Sequence, residues 1–176
     1  MDYVVKQSAR SRRMKLSVLA DGQVVVTVPK RARLTFTIDF FVAEHREWIE
    51  LQRARIARLG PVVDLRGSAE DFKKHKKFAL DYLTKKTEEM NRVYGFAYSK
   101  ISVRNSKGRW GSCSSGGSLS FNYRLVKIPL ELAEYVVAHE LSHLAEHNHG
   151  PRFWAQVARA IPDYKKRRQA LRKFIL

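Results

Sequence analysis

The stretch Val136-Val137-Ala138-His139-Glu140-Leu141-Ser142-His143 contains the pattern H-E-x-x-H inside an apolar segment. Residues four apart lie one turn above each other on a helix, so His139 and His143 would project from one face and bind one metal ion. Glu140, next to the first histidine, would reach a water on that metal and accept its proton. The stretch therefore predicts a metal-binding helix, around which the second half of the chain is organised.

This helix is predicted to begin at Pro129, because proline is tolerated in a first turn, and to run to about His147. Asn148, Gly150 and Pro151 would then break it. Asn148 tolerates a left-handed conformation, so we expect the chain to turn back towards the metal at this point.

A third ligand is needed, because a catalytic zinc commonly takes three protein ligands and leaves the fourth position to water. His147 lies eight positions from His139, a rise of about 12 Å along a continuous helix, which is too far for one ion. His149 lies beyond the helix end and can converge on the metal. We therefore predict His149 as the third ligand, ahead of His147 and Glu146.

The residues before this helix predict a short strand, a loop and a second strand. The strand covers Ile101 to Arg104, and the loop from Ser106 to Gly117 holds Arg109, Trp110 and Cys113. Apolar and polar residues alternate from Ser118 to Val126, which is typical of a strand with one buried face. We expect Ser118 to Arg124 to be an edge strand to which a peptide substrate adds. Two short helices are predicted after the motif, at Phe153 to Ala160 and Tyr164 to Phe174.

The N-terminal third predicts a small sheet followed by helices. Strand-like runs cover Met14 to Leu19 and Val24 to Val28, joined by the hairpin signal Asp21-Gly22, and Tyr3 to Gln7 is a third candidate. Pro29 and the basic run Lys30 to Arg33 end this sheet. Helices are then predicted from Thr37 to Arg58 and from Ser68, with Asp71 completing a capping box, to about Tyr94.

These elements predict an α+β fold with an N-terminal β-hairpin and helices ahead of a zincin-like core. We place an N-terminal part at residues 1–60 and the core at 61–176, with one continuous domain as the alternative. The single cysteine excludes an intrachain disulfide, and no segment has the length and apolarity of a signal peptide or a membrane span. The expected location is the cytoplasm.

The motifs together resemble the YgjP-like metallopeptidase family, which is related to the SprT-like and WLM zinc proteases. The likeness rests on Arg109 to Cys113, on Phe121-Asn122, and on the stretch from Pro129 through the H-E-x-x-H motif to Trp154. It is close from about Ile101 to Tyr164 and looser elsewhere. The resemblance implies a zincin-like core and one zinc per chain. It also implies His139, His143 and His149 as ligands and Glu140 as general base.

Further residues near the motif are candidates for contacting a substrate or stabilising an oxyanion. These are Arg104, Trp110, Asn122, Tyr123 and Arg124. The preferred substrate is a polypeptide. One alternative is a zinc- or metal-dependent hydrolase of a nucleoside triphosphate or another small anion. A second is a nucleic-acid-associated protein with a structural metal site. The 34 basic and 17 acidic residues give a net charge of +17, which favours polyanionic partners such as nucleic acid.

Overall fold

A computed structural model of the chain describes residues 1–19, 21–30, 35–58 and 60–176. They form a mixed α/β protein with two compact units, Met1–Val62 and Val63–Leu176. Most of the predicted basic run from Lys30 to Arg33 lies outside the described residues. Within the described part of the chain, no helix is long and apolar enough to cross a membrane.

The first unit contains a three-stranded sheet of β1 (Val4–Ser8), β2 (Lys15–Val18) and β3 (Val24–Pro29). β3 lies in the middle, parallel to β1 and antiparallel to β2. Gly22 has a φ of +83° in the turn between β2 and β3, a conformation that glycine adopts without strain. The predicted hairpin and third strand are therefore present.

Two helices, α1 (Thr35–Glu44) and α2 (Arg46–Ala57), complete the first unit, where the sequence predicted one helix from Thr37 to Arg58. The break falls at His45, whose φ of −99° and ψ of 15° are not helical. The His45 ring nitrogen Nδ1 lies 2.8 Å from the Phe41 carbonyl oxygen, a local side-chain hydrogen bond that competes with the helix.

The second unit is built around a helix of 23 residues and a second three-stranded sheet. A short strand, β4 (Val63–Asp64), precedes α3 (Ala69–Asn91), which is followed by β5 (Lys100–Arg104), β6 (Gly111–Cys113) and β7 (Ser118–Asn122). A 3-10 helix (Tyr123–Lys127) leads into α4 (Leu130–Ser142). Then follow α5 (Pro151–Ala160), α6 (Tyr164–Leu171) and β8 (Phe174–Ile175), which pairs with β4.

The N-terminus of α3 follows the prediction in one respect and departs from it in another. Ser68 caps the helix by accepting a hydrogen bond from the Asp71 backbone N–H. The Asp71 carboxylate does not reach back to Ser68 but accepts hydrogen bonds from the Tyr123 hydroxyl at 2.6 Å and from Lys127. Asp71 therefore ties the start of α3 to the 3-10 helix.

The predicted edge strand is wrong, because β7 is the central strand of its sheet. The strand order of this sheet is β5-β7-β6, with β7 parallel to β5 and antiparallel to β6. β7 also ends at Asn122, and the chain from Tyr123 becomes 3-10 helix rather than strand. The edge next to α4 is β6, which lies inside the segment that the sequence predicted as a loop.

Helix α4 is the centre of the second unit, and nine of its residues are buried. It packs against the other helices of this unit and against β6. Leu119 and Phe121 of β7 belong to the same core. Helix α4 ends at Ser142, one and a half turns before the predicted end near His147. This burial fixes the position of the H-E-x-x-H motif.

Two of the four basic side chains of α6, which run from Lys165 to Arg168, contact other residues of the fold. Arg167 pairs with Asp163 and Glu134, and Arg168 lies over the Trp154 ring, 4.8 Å from its centroid. Arg167 and Arg168 therefore stabilise the fold, which leaves Lys165 and Lys166 as the basic residues of this run available to a ligand.

Candidate metal centre

Three histidines converge at the end of α4. The potential ligand atoms of His139, His143 and His149 all lie within 4.8 Å of one another. The Nε2 atoms of His139 and His149 are 3.1 Å apart. His139 lies on α4, His143 is the C-cap residue of that helix, and His149 lies in the loop before α5. The structure thus brings together the three residues that the sequence selected.

This arrangement fits a zinc ion. Two nitrogens bound to one zinc at about 2.1 Å with a tetrahedral angle lie about 3.4 Å apart, close to the separation of the two Nε2 atoms. Burial and the neighbouring histidines lower the pKa of His139 to about 3, and burial also lowers the pKa of His143. Both rings are therefore neutral at pH 7, as metal ligation requires. The His143 Nδ1 atom lies 3.1 Å from the Glu146 carbonyl oxygen, which leaves Nε2 for a metal.

The turn that delivers His149 differs from the predicted one. Among the described non-glycine residues none has a positive φ, so Asn148 is not left-handed, and Gly150 is extended with φ of −80°. The turn forms because α4 ends at Ser142, five residues earlier than expected. His147 is exposed and does not belong to the histidine group.

Trp154 holds the backbone of His149 in place. Its indole Nε1 donates a hydrogen bond to the His149 carbonyl oxygen at 3.1 Å, and the two rings lie 5.7 Å apart at 28°. The indole also contacts the rings of His139 and Phe153. On α6, Tyr164 stacks on it at 5.2 Å and Arg168 lies over it. The third histidine is in a loop, and its position depends on this support.

Glu140 is a buried carboxylic acid beside the histidine group. Its side chain is 5% exposed, and burial raises its pKa to about 8, although the charge of Arg109 acts in the opposite direction. Among the described residues, no group donates a hydrogen bond to its carboxylate. Gly111 of β6 makes this position possible, because a Cβ atom there would lie 2.6 Å from Glu140 Cγ and Oε1. A larger residue at 111 would displace Glu140.

A pocket of about 220 Å³ opens at this point, lined by His139 and Glu140. Trp110, a predicted substrate contact, lines it, as do Arg109 and Tyr135. Burial raises the pKa of Tyr135 to about 12, so its hydroxyl stays protonated. That hydroxyl has no hydrogen-bond partner in the described part of the chain and is available as a donor.

Three other predicted substrate contacts form hydrogen bonds within the protein. Arg124 is 3% exposed, and its guanidinium donates to the Leu65 and Gly67 carbonyls and to Asn105. The Asn122 amide donates to the backbone of the loop before β6, and the Tyr123 hydroxyl is bonded to Asp71. These contacts do not support substrate binding by Asn122 or Arg124, or an oxyanion role for Tyr123. Arg104 is exposed and lines a neighbouring pocket.

Sequence reasoning assigned no role at the site to Tyr135, Gly111 or Trp154, which the structure places beside His139, Glu140 and His149. A signal existed for Tyr135, because it precedes His139 by four residues and therefore shares its helix face. Cys113, the single cysteine, is not part of the histidine group. Its thiol pKa is raised by burial and by Glu140.

A comparison with known protein families identifies a metallopeptidase domain in this chain. No curated protein matches the chain. One similar solved structure is that of the metallopeptidase zymogen abylysin of Pyrococcus abyssi, with 21% identity and a TM-score of 0.45, covering 48% of this chain and 87% of that chain. The family description "YgjP-like, metallopeptidase domain" matches residues 64–174, which is most of the chain and includes all three histidines. The chain therefore belongs to the YgjP-like metallopeptidase family.

Proposed function

We propose that this protein is a zinc-dependent peptidase in which His139, His143 and His149 hold one zinc and Glu140 is the general base. The observation that supports this most directly is the convergence of three histidine nitrogens within 4.8 Å, since one of the three, His139, also lines the pocket that holds the Glu140 carboxyl group. The substrate that we propose is a polypeptide.

A zinc ion bound there would act as a Lewis acid and lower the pKa of a bound water to about 7. Glu140 accepts the proton of the attacking water and later passes it to the leaving amine. Its burial suits this role, because a carboxylate removed from water is more basic than one in solution. Gly111 keeps Glu140 close to β6 and therefore close to a substrate on that strand.

Tyr135 is the group we propose for stabilising the oxyanion of the tetrahedral intermediate. It lines the same pocket as Glu140, remains protonated at neutral pH, and has a free hydroxyl among the described groups. Tyr135→Phe should lower kcat about 10²-fold while zinc binding is unchanged, as expected for loss of one oxyanion donor. An unchanged kcat would remove Tyr135 from this role.

The polypeptide is proposed to add to β6 rather than to β7. In this antiparallel pair, Asn122 N–H donates to the Trp110 carbonyl and Ser114 N–H donates to the Ser118 carbonyl. Hydrogen bonding alternates along an antiparallel strand, so Trp110, Ser112 and Ser114 face β7. The N–H and C=O groups of Gly111 and Cys113 then face outward. A substrate strand can pair with them next to Glu140.

The two alternatives are less well supported. A triphosphate hydrolase would gather the arginines near the motif around the metal, namely Arg104, Arg109, Arg124 and Arg152. Arg124 is buried and bonded within the fold, and of these four only Arg109 lines the pocket of Glu140. A purely structural metal site would not need a carboxyl group in an open pocket. We therefore keep the peptidase as the proposed function.

The test of function is hydrolysis of an unfolded polypeptide by zinc-loaded protein and by Glu140→Gln. The variant keeps the side-chain shape but cannot accept a proton, so it should fold, bind one zinc and lose nearly all cleavage. Cleavage by the variant at the wild-type rate would exclude Glu140 as the base. Glu140-dependent turnover of nucleotides without any peptide cleavage would favour the triphosphate alternative.

The test of strand addition compares Cys113→Pro with Cys113→Ala. Proline removes an N–H that β7 does not use, and proline is tolerated on edge strands. We expect KM for the polypeptide to rise in Cys113→Pro relative to Cys113→Ala, with zinc affinity equal in both. Equal KM values would place the substrate elsewhere.

A further inference from the structure

A second pocket, of about 230 Å³, lies beside the candidate metal centre and shares Arg109 and Gly111 with the pocket of Glu140. Its side chains are mainly polar and none of those described is acidic. We term it the arginine pocket and define it by Arg104, Ser106, Arg109, Ser112, Ser120 and Asn122.

The positive charge of this pocket is not neutralised within the fold. The Arg104 guanidinium makes no hydrogen bond or ion pair in the part of the chain that the structure describes. Among the described residues, Arg109 makes no ion pair with an acidic group, and Glu140 interacts with it through charge rather than through a hydrogen bond. Arg124, close by in sequence, has its donors occupied by backbone and amide oxygens. Two guanidiniums with free donors, beside serine hydroxyls, form a binding site for an anion.

The pocket is held in shape by a buried amide. The Asn122 side chain is 1% exposed, and its Nδ2 donates to the Ser106 carbonyl at 2.8 Å and to the Arg109 carbonyl at 3.1 Å. These bonds fix the loop before β6 at two points. Arg109 is therefore presented by an anchored backbone, which reduces the entropy lost when a ligand binds.

The arginine pocket and the metal centre lie on opposite faces of the β5-β7-β6 sheet. Arg104 pairs in register with Asn122, and Ser112 pairs with Ser120, so these residues share one face. The other face carries Phe121 in the core, and Gly111 abuts Glu140 there. A peptide strand added to β6 would present successive side chains to the two faces in turn.

We propose that the arginine pocket binds an acidic side chain of the substrate, at a position adjacent to the residue that faces Glu140. This inference rests on the proposed peptidase function and specifies its substrate class. A peptide strand along β6 reaches both faces of the sheet because its side chains alternate. A compact anion bound in the arginine pocket would instead lie on the other side of the sheet from the three histidines. The ligand chemistry is therefore a carboxylate on an extended peptide.

The experiment measures binding of fluorescent decapeptides that carry one Glu, Gln or Lys at successive positions of an otherwise uncharged sequence. Binding is measured by anisotropy to zinc-loaded Glu140→Gln, and to metal-free wild type in case the variant does not fold. Arg104→Glu is compared with Lys100→Glu, because Lys100 is exposed on the same strand and the same face but does not line the pocket.

We expect Glu at alternate positions to tighten binding about tenfold over Gln, as for a charge-assisted hydrogen bond. Arg104→Glu should abolish this preference or shift it to Lys, and Lys100→Glu should retain it. Equal binding of Glu and Gln peptides, or equal effects of the two variants, would overturn the proposal even if wild type cleaves uncharged peptides. A nucleoside triphosphate that binds more tightly than any peptide, and depends on Arg104, would overturn the peptide assignment.

Discussion

Replacing Trp154 by phenylalanine removes the hydrogen bond that holds the backbone of the third histidine. The indole Nε1 donates to the His149 carbonyl at 3.1 Å, and phenylalanine keeps an aromatic ring in the same position without a donor. The stack against Tyr164, with centroids 5.2 Å apart, should largely remain. The substitution therefore tests the support of His149 with little change in packing.

The expected effect follows from the value of one hydrogen bond between neutral groups. Such a bond contributes about 1 kcal/mol net. Because about 1.4 kcal/mol corresponds to a tenfold change in an equilibrium constant, Trp154→Phe should weaken zinc affinity about fivefold. Trp154→Ala also removes the contacts with Tyr164 and Arg168. We expect it to weaken affinity by about 10- to 100-fold, the range for lost support of a metal ligand.

Zinc affinity is best measured by competition with a chromophoric chelator at pH 7.5. Trp48→Phe, an exposed tryptophan of the first unit, is the matched control. Thermal unfolding of the metal-free variants separates loss of the site from loss of the fold. If Trp154→Phe and Trp48→Phe bind zinc equally well, the hydrogen bond does not position His149, and our account of the loop is refuted.

Four other perturbations address different parts of the molecule. His149→Ala should sharply lower the zinc content measured by atomic absorption, whereas His147→Ala should leave one zinc per chain; the reverse pattern would exclude His149. Burial raises the pKa of Glu140 to about 8, so zinc binding at pH 7 should release more protons from wild type than from Glu140→Gln in calorimetry across buffers; equal release would contradict the buried acid. The hydrogen bonds of Asp71 to the 3-10 helix lower its pKa from 3.8 to about 2, so the stabilisation of the fold by Asp71 is present above pH 4 and lost as pH falls towards 2. The difference in free energy of unfolding between wild type and Asp71→Asn should therefore close over that range, and a constant difference would disprove the linkage. Binding to DNA of mixed sequence should weaken steeply with salt, and neutralising Lys165-Lys166 should reduce that salt dependence; no binding at low salt would leave the charge without a nucleic-acid role.

The sequence predicted best those features that depend on local periodicity. The i, i+4 spacing of His139 and His143 determines that both lie on one helix face, whatever the surrounding fold. The Asp21-Gly22 turn and the Ser68 cap are similarly local, because each depends on the conformation of a few neighbouring residues. These elements appear in the structure at or near the predicted positions.

Features that depend on tertiary packing were predicted less well. Alternation along Ser118 to Asn122 indicates a strand with one buried face, and both central and edge strands satisfy that condition. Whether a strand has one neighbour or two is decided by distant segments, here β5 and β6. The length of α4 is a similar case, since the residues after Ser142 retain helical propensity and the chain nevertheless turns there.

The glycine at position 111 shows why β6 escaped prediction and why it matters. Gly111-Ser112-Cys113 is too short and too polar to show a strand pattern, and glycine is normally unfavourable within strands. The buried carboxyl group of Glu140 requires this glycine, since any Cβ atom there would lie 2.6 Å from it. Strand propensity is therefore contradicted at the point where the edge strand approaches Glu140, the proposed general base. In this chain, a glycine that is unfavourable for a strand marks the place where β6 and Glu140 would act on the same substrate.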